Sequence, residues 1–336
     1  MKYVYVLVST PDDFYYEQCL MSVFSLISHT KNADIYVLTD SRTESTFTEQ
    51  NKRLALKNLD VHILSVSFED SVTNLKRSRI LKTTIPNYVS GNFLFIDCDT
   101  IICEDLSNVA EILSDDEMKI GAVLDGHVFL DEHKHKDYFI KREKKLGFSA
   151  TKTTGKHFNS GVILFRDCNA SRLFFKKWNQ LLTWCSTEKN ENHDQPAFNE
   201  ASLECGNILK EFPGEWNCQI SQGGLFYLKD AKIIHYFSSE GGKNYISYYK
   251  LADKSLLSRI KKSGYIPDDI KQMIAEPKFQ FNKVHLINDQ RIVNIMQSPL
   301  TFTLADINAK LPRFFNFLEA QAAFIRKIGK KLKGKK

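Results

Sequence analysis

Short apolar runs and helix-period stretches alternate along the first 125 residues. Residues 2–9, 35–38, 61–66, 93–96 and 120–125 have the Val-, Ile-, Tyr- and Phe-rich character of strands. Between them, helices are expected over 14 to about 28, over 44–56 (a polar one), over 75–84 and over 106–113. Thr10-Pro11-Asp12-Asp13 supplies turn and helix-start residues, and the helix from 75 stops before Pro86. Strands alternating with helices predict a mostly parallel α/β sheet of nucleotide-binding type. Further on, 131–145 is strongly polar, with His133 and His135 among lysines, and reads as a solvated helix or a flexible lid. Residues 157–165 lead from a polar mouth into a buried strand, and Gly161 would admit a close neighbour. The aromatics Phe174, Phe175, Trp178 and Trp184 of a helix over 169–186 read as core. His193-Asp194-Gln195-Pro196 opens a further helix, 231–237 is a last strand, and beyond Tyr245 the periodicity weakens.

The strand at 93–96 carries the first chemistry. Four apolar residues, opened by Gly91-Asn92, run directly into Asp97-Cys98-Asp99. Side chains alternate along a strand, so the two carboxylates leave on one side and Cys98 on the other. Ligands bind at the carboxyl ends of such strands. Paired carboxylates there repel unless a cation or proton lies between them, and a hard divalent metal such as Mg²⁺ or Mn²⁺ suits their oxygens. The alternative is a solvated loop, where Asp is common.

Composition narrows the class. With 43% hydrophobic and 26% charged residues, the 336-residue chain reads as an ordinary globular protein. Its seven cysteines are scattered without a C-x-x-C pair, which argues for a reducing, cytoplasmic compartment and against a disulfide scaffold or zinc site. The N-terminal apolar run is too short for a signal peptide, and no run reaches the length of a membrane span. The net charge of +6 comes from Arg326, Lys327, Lys330, Lys331, Lys333, Lys335 and Lys336, and the rest is close to neutral. No basic face remains for nucleic acid.

The order of motifs resembles glycosyltransferase family 8, retaining nucleotide-sugar enzymes of the bacterial lipopolysaccharide galactosyl- and glucosyltransferase type. The motifs are Arg79-Ile80-Leu81-Lys82, F-L-F-I-D-C-D-T from Phe93, F-N-S-G-V from Phe158, Asp194-Gln195, Trp216-Asn217 and I-I-H-Y-F from Ile233. The resemblance implies a GT-A fold over 1–245, a mixed sheet flanked by helices. Beyond it, and not explained by it, a mostly helical C-terminal extension over 246–310 and a basic amphipathic tail helix over 311–336 are expected. The resemblance also implies that Asp97, Asp99 and His235 hold Mn²⁺, with Mg²⁺ as the alternative. His235 taken alone would read as a core histidine. A UDP-hexose donor would meet Ser9, Thr10, Asp12, Asp13 and the Cys98 stretch. Arg79 and Asp125 would face sugar and phosphates, and Asn159, Asp194 and Gln195 would surround the anomeric carbon. Lys243 would approach the diphosphate, although it lies eight residues after His235 where the family spaces six.

The acceptor would be a glycan or a lipid-linked glycan. Retention needs a nucleophile, for which Asp194 is chemically better than Gln195, or same-face attack. Two other classes compete: a haloacid dehalogenase-type phosphatase, and a non-catalytic nucleotide-sugar- or polysaccharide-binding protein. The tail places Phe314, Leu318, Ile325, Ile328 and Leu332 on one stripe and Arg326, Lys330 and Lys333 on another side. Such a helix suits the anionic inner face of the cytoplasmic membrane.

Overall fold

A computed structural model describes residues 1–237, 249–281, 295 and 298–333, with side chains to residue 325. Lys243 lies outside the described residues, as do the side chains of the basic cluster from Arg326 onward. The chain divides into two units, Met1–Gln280 and Phe281–Lys336.

The first unit is built on a seven-stranded mixed sheet in the order β3-β2-β1-β4-β7-β6-β8. Its strands are β1 (Lys2–Leu7), β2 (Asp34–Asp40), β3 (His62–Val66), β4 (Phe93–Ile96), β6 (Ile120–Leu124), β7 (Phe158–Phe165) and β8 (Leu209–Glu211). β3, β2, β1 and β4 are parallel, whereas β7 runs antiparallel to both β4 and β6. All four residues of β4 are fully buried, as an uninterrupted apolar run requires of a strand covered on both faces. Phe93 stacks on Phe165 of β7 at 4.3 Å, and Phe174, Phe175 and Trp178 of the helix Asn169–Glu188 close the core over them. The expected GT-A architecture, a mixed sheet flanked by helices, is what the chain forms.

A second, three-stranded sheet places the chemistry. β5 (Thr100–Ile102) leaves the acid pair directly and pairs antiparallel with β10 (Ile233–His235), which pairs in parallel with β9 (Cys218–Gln219). His235 is thereby in register with Thr100, one residue from Asp99. None of these three short strands is long enough for a period to show, except that 231–237 contains β10.

Two expected helices are shorter than their patterns. Residues 44–56 give only the helix Ser41–Ser45 followed by turns. Arg53 is drawn into the interior to donate to Ser9 Oγ (3.0 Å), Thr46 Oγ1 (3.1 Å) and the Thr10 carbonyl, and Lys52 takes a positive φ of 56°. The helix expected over 106–113 shrinks to Val109–Ile112. The polar stretch 131–145 does form a helix, Lys136–Leu146, but Glu143 and Leu146 are buried. Its other face is not simply solvated, since Tyr138, Phe139 and Arg142 border the central cleft.

Within the first unit, residues 249–280 add the helices Lys254–Ser263 and Asp268–Ala275, which pack on α1 (Tyr15–His29). In the second unit the helices Pro299–Lys310 and Pro312–Lys333 pack together.

Candidate active site

A cleft of about 820 Å³ opens at the carboxyl ends of β1, β4 and β6. Asp97, Asp99 and His235 meet on its floor, with ligand atoms all within 4.8 Å of one another. Three backbone and register contacts bring them there. Asp97 N–H donates to the Gly161 carbonyl (2.8 Å), Tyr236 N–H donates to the Asp99 carbonyl (3.1 Å), and β10 pairs with β5. His235 Nε2 lies 3.2 Å from Asp99 Oδ1, and its ring stacks on Phe237 at 4.0 Å.

The imidazole also explains Gly161. A Cβ there would collide with the ring, reaching 2.8 Å from Nδ1. The close neighbour that this glycine admits is therefore the His235 side chain. Two carboxylates and one imidazole nitrogen facing a common point fit a divalent cation of the Mn²⁺ or Mg²⁺ kind. Withdrawal from water and the neighbouring Asp99 push the Asp97 carboxyl up, against the pull of Lys82 and His235. A bound cation would reverse that balance.

A second acid centre adjoins the first. Asp194 opens the helix Asp194–Glu204 and is buried between two cations, Lys82 (3.0 Å) and Arg79 (3.3 Å), while Ser160 Oγ donates to it at 3.0 Å. Burial alone would raise its pKa, but Arg79 and Lys82 overcome that and hold it well below the usual carboxylate range. Lys82 also reaches both oxygens of Asp97, at 3.3 and 3.4 Å, so one ammonium joins the two centres.

Beside them, Gln195 Nε2 donates to Asp125 Oδ2. Asn159 Oδ1 accepts from Gly161 N–H (2.9 Å) and from Asn217 Nδ2 (2.9 Å). At the far wall the turn after β1 is self-capped. Asp13 accepts from Ser9 Oγ, from Thr10 N–H and Oγ1, and from Tyr15 N–H, at 2.6–3.0 Å. Lys261 Nζ donates to the Asp13 carbonyl (2.8 Å), tying residues 249–280 to this turn.

Residues 6–242 match the model of Glycosyl transferase family 8. The chain belongs to glycosyl transferase family 8. Solved structures with similar chain traces include mouse xyloside xylosyltransferase 1 in its apo form (11% identity, 72% of this chain and 99% of that one, TM-score 0.49). Others are the galactosyltransferase LgtC with donor and acceptor sugar analogs (14%, 81% and 99%, 0.49) and GlyE of Streptococcus pneumoniae TIGR4 (17%, 82% and 63%, 0.46). No curated protein matches the chain. Membership makes glycosyl transfer the activity class and sets aside the haloacid dehalogenase-type alternative.

In this family 8 cleft, Asp97, Cys98, Asp99, Arg79, Asp125, Asn159, Asp194, Gln195, His235, Thr10 and Asp13 all form lining. Cys98 turns its thiol to the Val6 carbonyl (3.3 Å). Ser9 and Asp12 are not part of that lining: Ser9 is buried against Arg53 and Thr43, and Asp12 is exposed.

The structure adds residues to which no role was given from sequence. Lys82 stood in the Arg79 motif, and its position three residues on, along the same helix face, was the available signal. Asn217 stood in the W-N motif with no partner in view. His157, Phe139, Tyr138 and Arg142 form a wall of the cleft, and the polar run around residues 138–142 in the sequence disguised it. Among the described residues no helix is long and apolar enough to cross a membrane.

Proposed function

We propose that the protein is a metal-dependent retaining hexosyltransferase that moves a hexose from a UDP-sugar to a glycan or lipid-linked glycan. The convergence of Asp97, Asp99 and His235 at the mouth of β4 carries this reading. These three would hold Mn²⁺, or Mg²⁺, which when bound stabilises negative charge on the diphosphate as a Lewis acid. Arg79 faces the cleft with its Nε buried and without a hydrogen-bond partner among the described residues, so it can donate to a phosphate or sugar oxygen. Its charge then adds to leaving-group stabilisation.

Thr10 and Asp13, with the neighbouring Ser9 and Asp12, form the uracil and ribose side, and the Cys98 stretch lies beneath the diphosphate. Asp125 and Gln195 orient the hexose as a hydrogen-bonded pair. Asn159 offers its Nδ2, because its Oδ1 already accepts two hydrogen bonds. Asp194, ion-paired to Arg79 and Lys82, serves as a fixed acceptor for a sugar hydroxyl. Lys243 is proposed on the resemblance alone as a further cation for the diphosphate.

The deciding experiment is a panel of nucleotide sugars, read by thermal stabilisation and slow hydrolysis with Mn²⁺ or with excess chelator. A UDP-hexose should stabilise the protein and be hydrolysed only with the metal, and transfer to an acceptor should give an α-linked product by anomeric proton coupling. Full turnover in chelator, or a β-linked product, would overturn the assignment.

The tail extends the reading to a place of work, the inner surface of the cytoplasmic membrane. Phe314, Phe317, Phe324 and Ile325 of the helix Pro312–Lys333 are about half exposed or more, and the basic cluster follows in sequence. Each Lys or Arg near an anionic leaflet contributes about 1 kcal/mol. Flotation with anionic liposomes should require residues 311–336 and weaken with salt. Equal flotation after their removal would rule the anchor out.

A further inference from the structure

The acid pair and His235 account for three ligands but not for how the imidazole comes to present the correct nitrogen. A neutral imidazole carries its proton on either nitrogen, and only the bare one can bind a cation. The surrounding hydrogen bonds remove that choice in four steps. Gly161 N–H is a donor without alternative, and it lies 2.9 Å from Asn159 Oδ1, which fixes which end of that amide is oxygen. The Asn217 atom 2.9 Å from the same oxygen must then be its nitrogen, Nδ2. Asn217 Oδ1 consequently faces His235 Nδ1, at 2.9 Å, and can only accept. Nδ1 therefore carries a proton, and Nε2 is the nitrogen that faces the carboxylates and is left to bind a cation there.

Burial makes the arrangement rigid. Asn217 is fully buried, and Asn159 and His235 nearly so. A flipped amide would set two oxygens or two donors face to face with no water to relieve them. The close approach of Gly161 to the imidazole and the stacking of Phe237 on it leave the ring little room to turn.

We propose that Asn217 is a positioning residue that locks His235 in the Nδ1–H tautomer, and that the chain Gly161–Asn159–Asn217–His235 ties the sugar side of the cleft to its metal side. The inference rests on the metal reading given above, but the tautomer can be read without any metal. Because Asn159 Nδ2 is the group left over for a hexose, the chain also links donor seating to ligand geometry. Outer partners of metal-bound histidines typically carry about 10–100-fold in metal affinity, and that is the effect expected here.

The test uses the full-length, metal-free protein with ¹⁵N-labelled histidine. Long-range ¹H–¹⁵N correlation should show His235 protonated at Nδ1. Asn217→Leu should release the ring to the other tautomer or a mixture, and weaken Mn²⁺ binding, read by electron paramagnetic resonance without donor, about 10–100-fold. Asn217→Asp keeps an acceptor opposite Nδ1 while losing the donor to Asn159, and should keep the proton on Nδ1, which separates the lock on His235 from the contact with Asn159. His235 found protonated only at Nε2 in the unaltered protein, or an unchanged tautomer and affinity in Asn217→Leu, overturns the proposal. An Nδ1–H tautomer in a protein that binds no Mn²⁺ would uphold the lock and instead overturn the metal reading.

Discussion

Two acid centres share one cleft and solve the same electrostatic problem differently. Asp194 is buried and carries its own cations, Arg79 and Lys82, so it is matched in charge without any ligand. Asp97, Asp99 and His235 converge acceptors on one point, and although Lys82 touches Asp97, its ammonium lies on the side of Asp194. A buried carboxylate with a fitted ion pair is part of the folded framework. Converging carboxylates are a place prepared for a cation from solution. The first centre should therefore matter to stability, the second to activity.

Asp99→Asn is the sharpest way to separate them, and it carries the largest effect. Removing one metal carboxylate should cost several kcal/mol of leaving-group stabilisation, about 10³-fold in turnover. The same change removes a carboxylate from a repelling pair, so the unfolding free energy of the metal-free protein should move by less than about 1 kcal/mol. Circular dichroism and urea unfolding beside a UDP-hexose assay give both readings. A stability loss as large as the activity loss would erase the distinction.

Lys82→Met attacks the other centre. It leaves Asp194 with Arg79 alone and Asp97 with no ammonium, at a site where the lysine side chain is only 3% exposed. Breaking a buried pair by removing one partner costs about 3–5 kcal/mol. Adding Asp194→Asn to Lys82→Met should restore about 1–3 kcal/mol, the coupling energy of residues in one ion-pair network. Strictly additive urea-unfolding energies would show that Lys82 is not bound to Asp194 in this way.

The two centres also differ in how far the sequence disclosed them. Asp97 and Asp99 follow an unbroken apolar run, and a period of two puts both on one side, so their meeting was legible from local pattern alone. His235 came only through motif order, because the pairing of β10 with β5 that delivers it joins residues more than a hundred positions apart. Lys82, Asn217 and Ser160 stood inside quoted motifs, yet their partners are fixed by tertiary contact and leave no periodic trace. Arg53 shows the reverse: the polar helix expected over 44–56 was overridden when the guanidinium was drawn into the turn at Ser9 and Thr10. The sheet was readable because its strands are apolar runs, and the cleft wall from 131 to 146 was not, because a half-buried polar helix has the composition of a solvated one.

That wall gives the smallest and most specific test, since its buried charge problem is solved in a third way, by neutrality. His157 is buried, stacks on Phe139 at 4.0 Å, and holds Thr151 Oγ1 through Nδ1 at 2.7 Å. Burial pushes its pKa down to about 3, and that of His133 nearby to about 4. A base whose folded pKa is depressed contributes its full stability above the unfolded value of about 6.5, and loses it as pH falls toward the folded value. Between about pH 7.5 and about pH 5 the protein should lose about 2 kcal/mol through His157 alone. Asp194 contributes nothing in that window, because its folded pKa lies well below the carboxylate range and it stays ionised throughout. Urea unfolding of the protein and of His157→Gln at both pH values isolates the histidine. The glutamine can still pair with Thr151 but cannot titrate, so the variant should lose about 2 kcal/mol less on acidification. Identical pH dependence in the two proteins would show that acid sensitivity arises elsewhere, and that this wall is not held together by an uncharged imidazole.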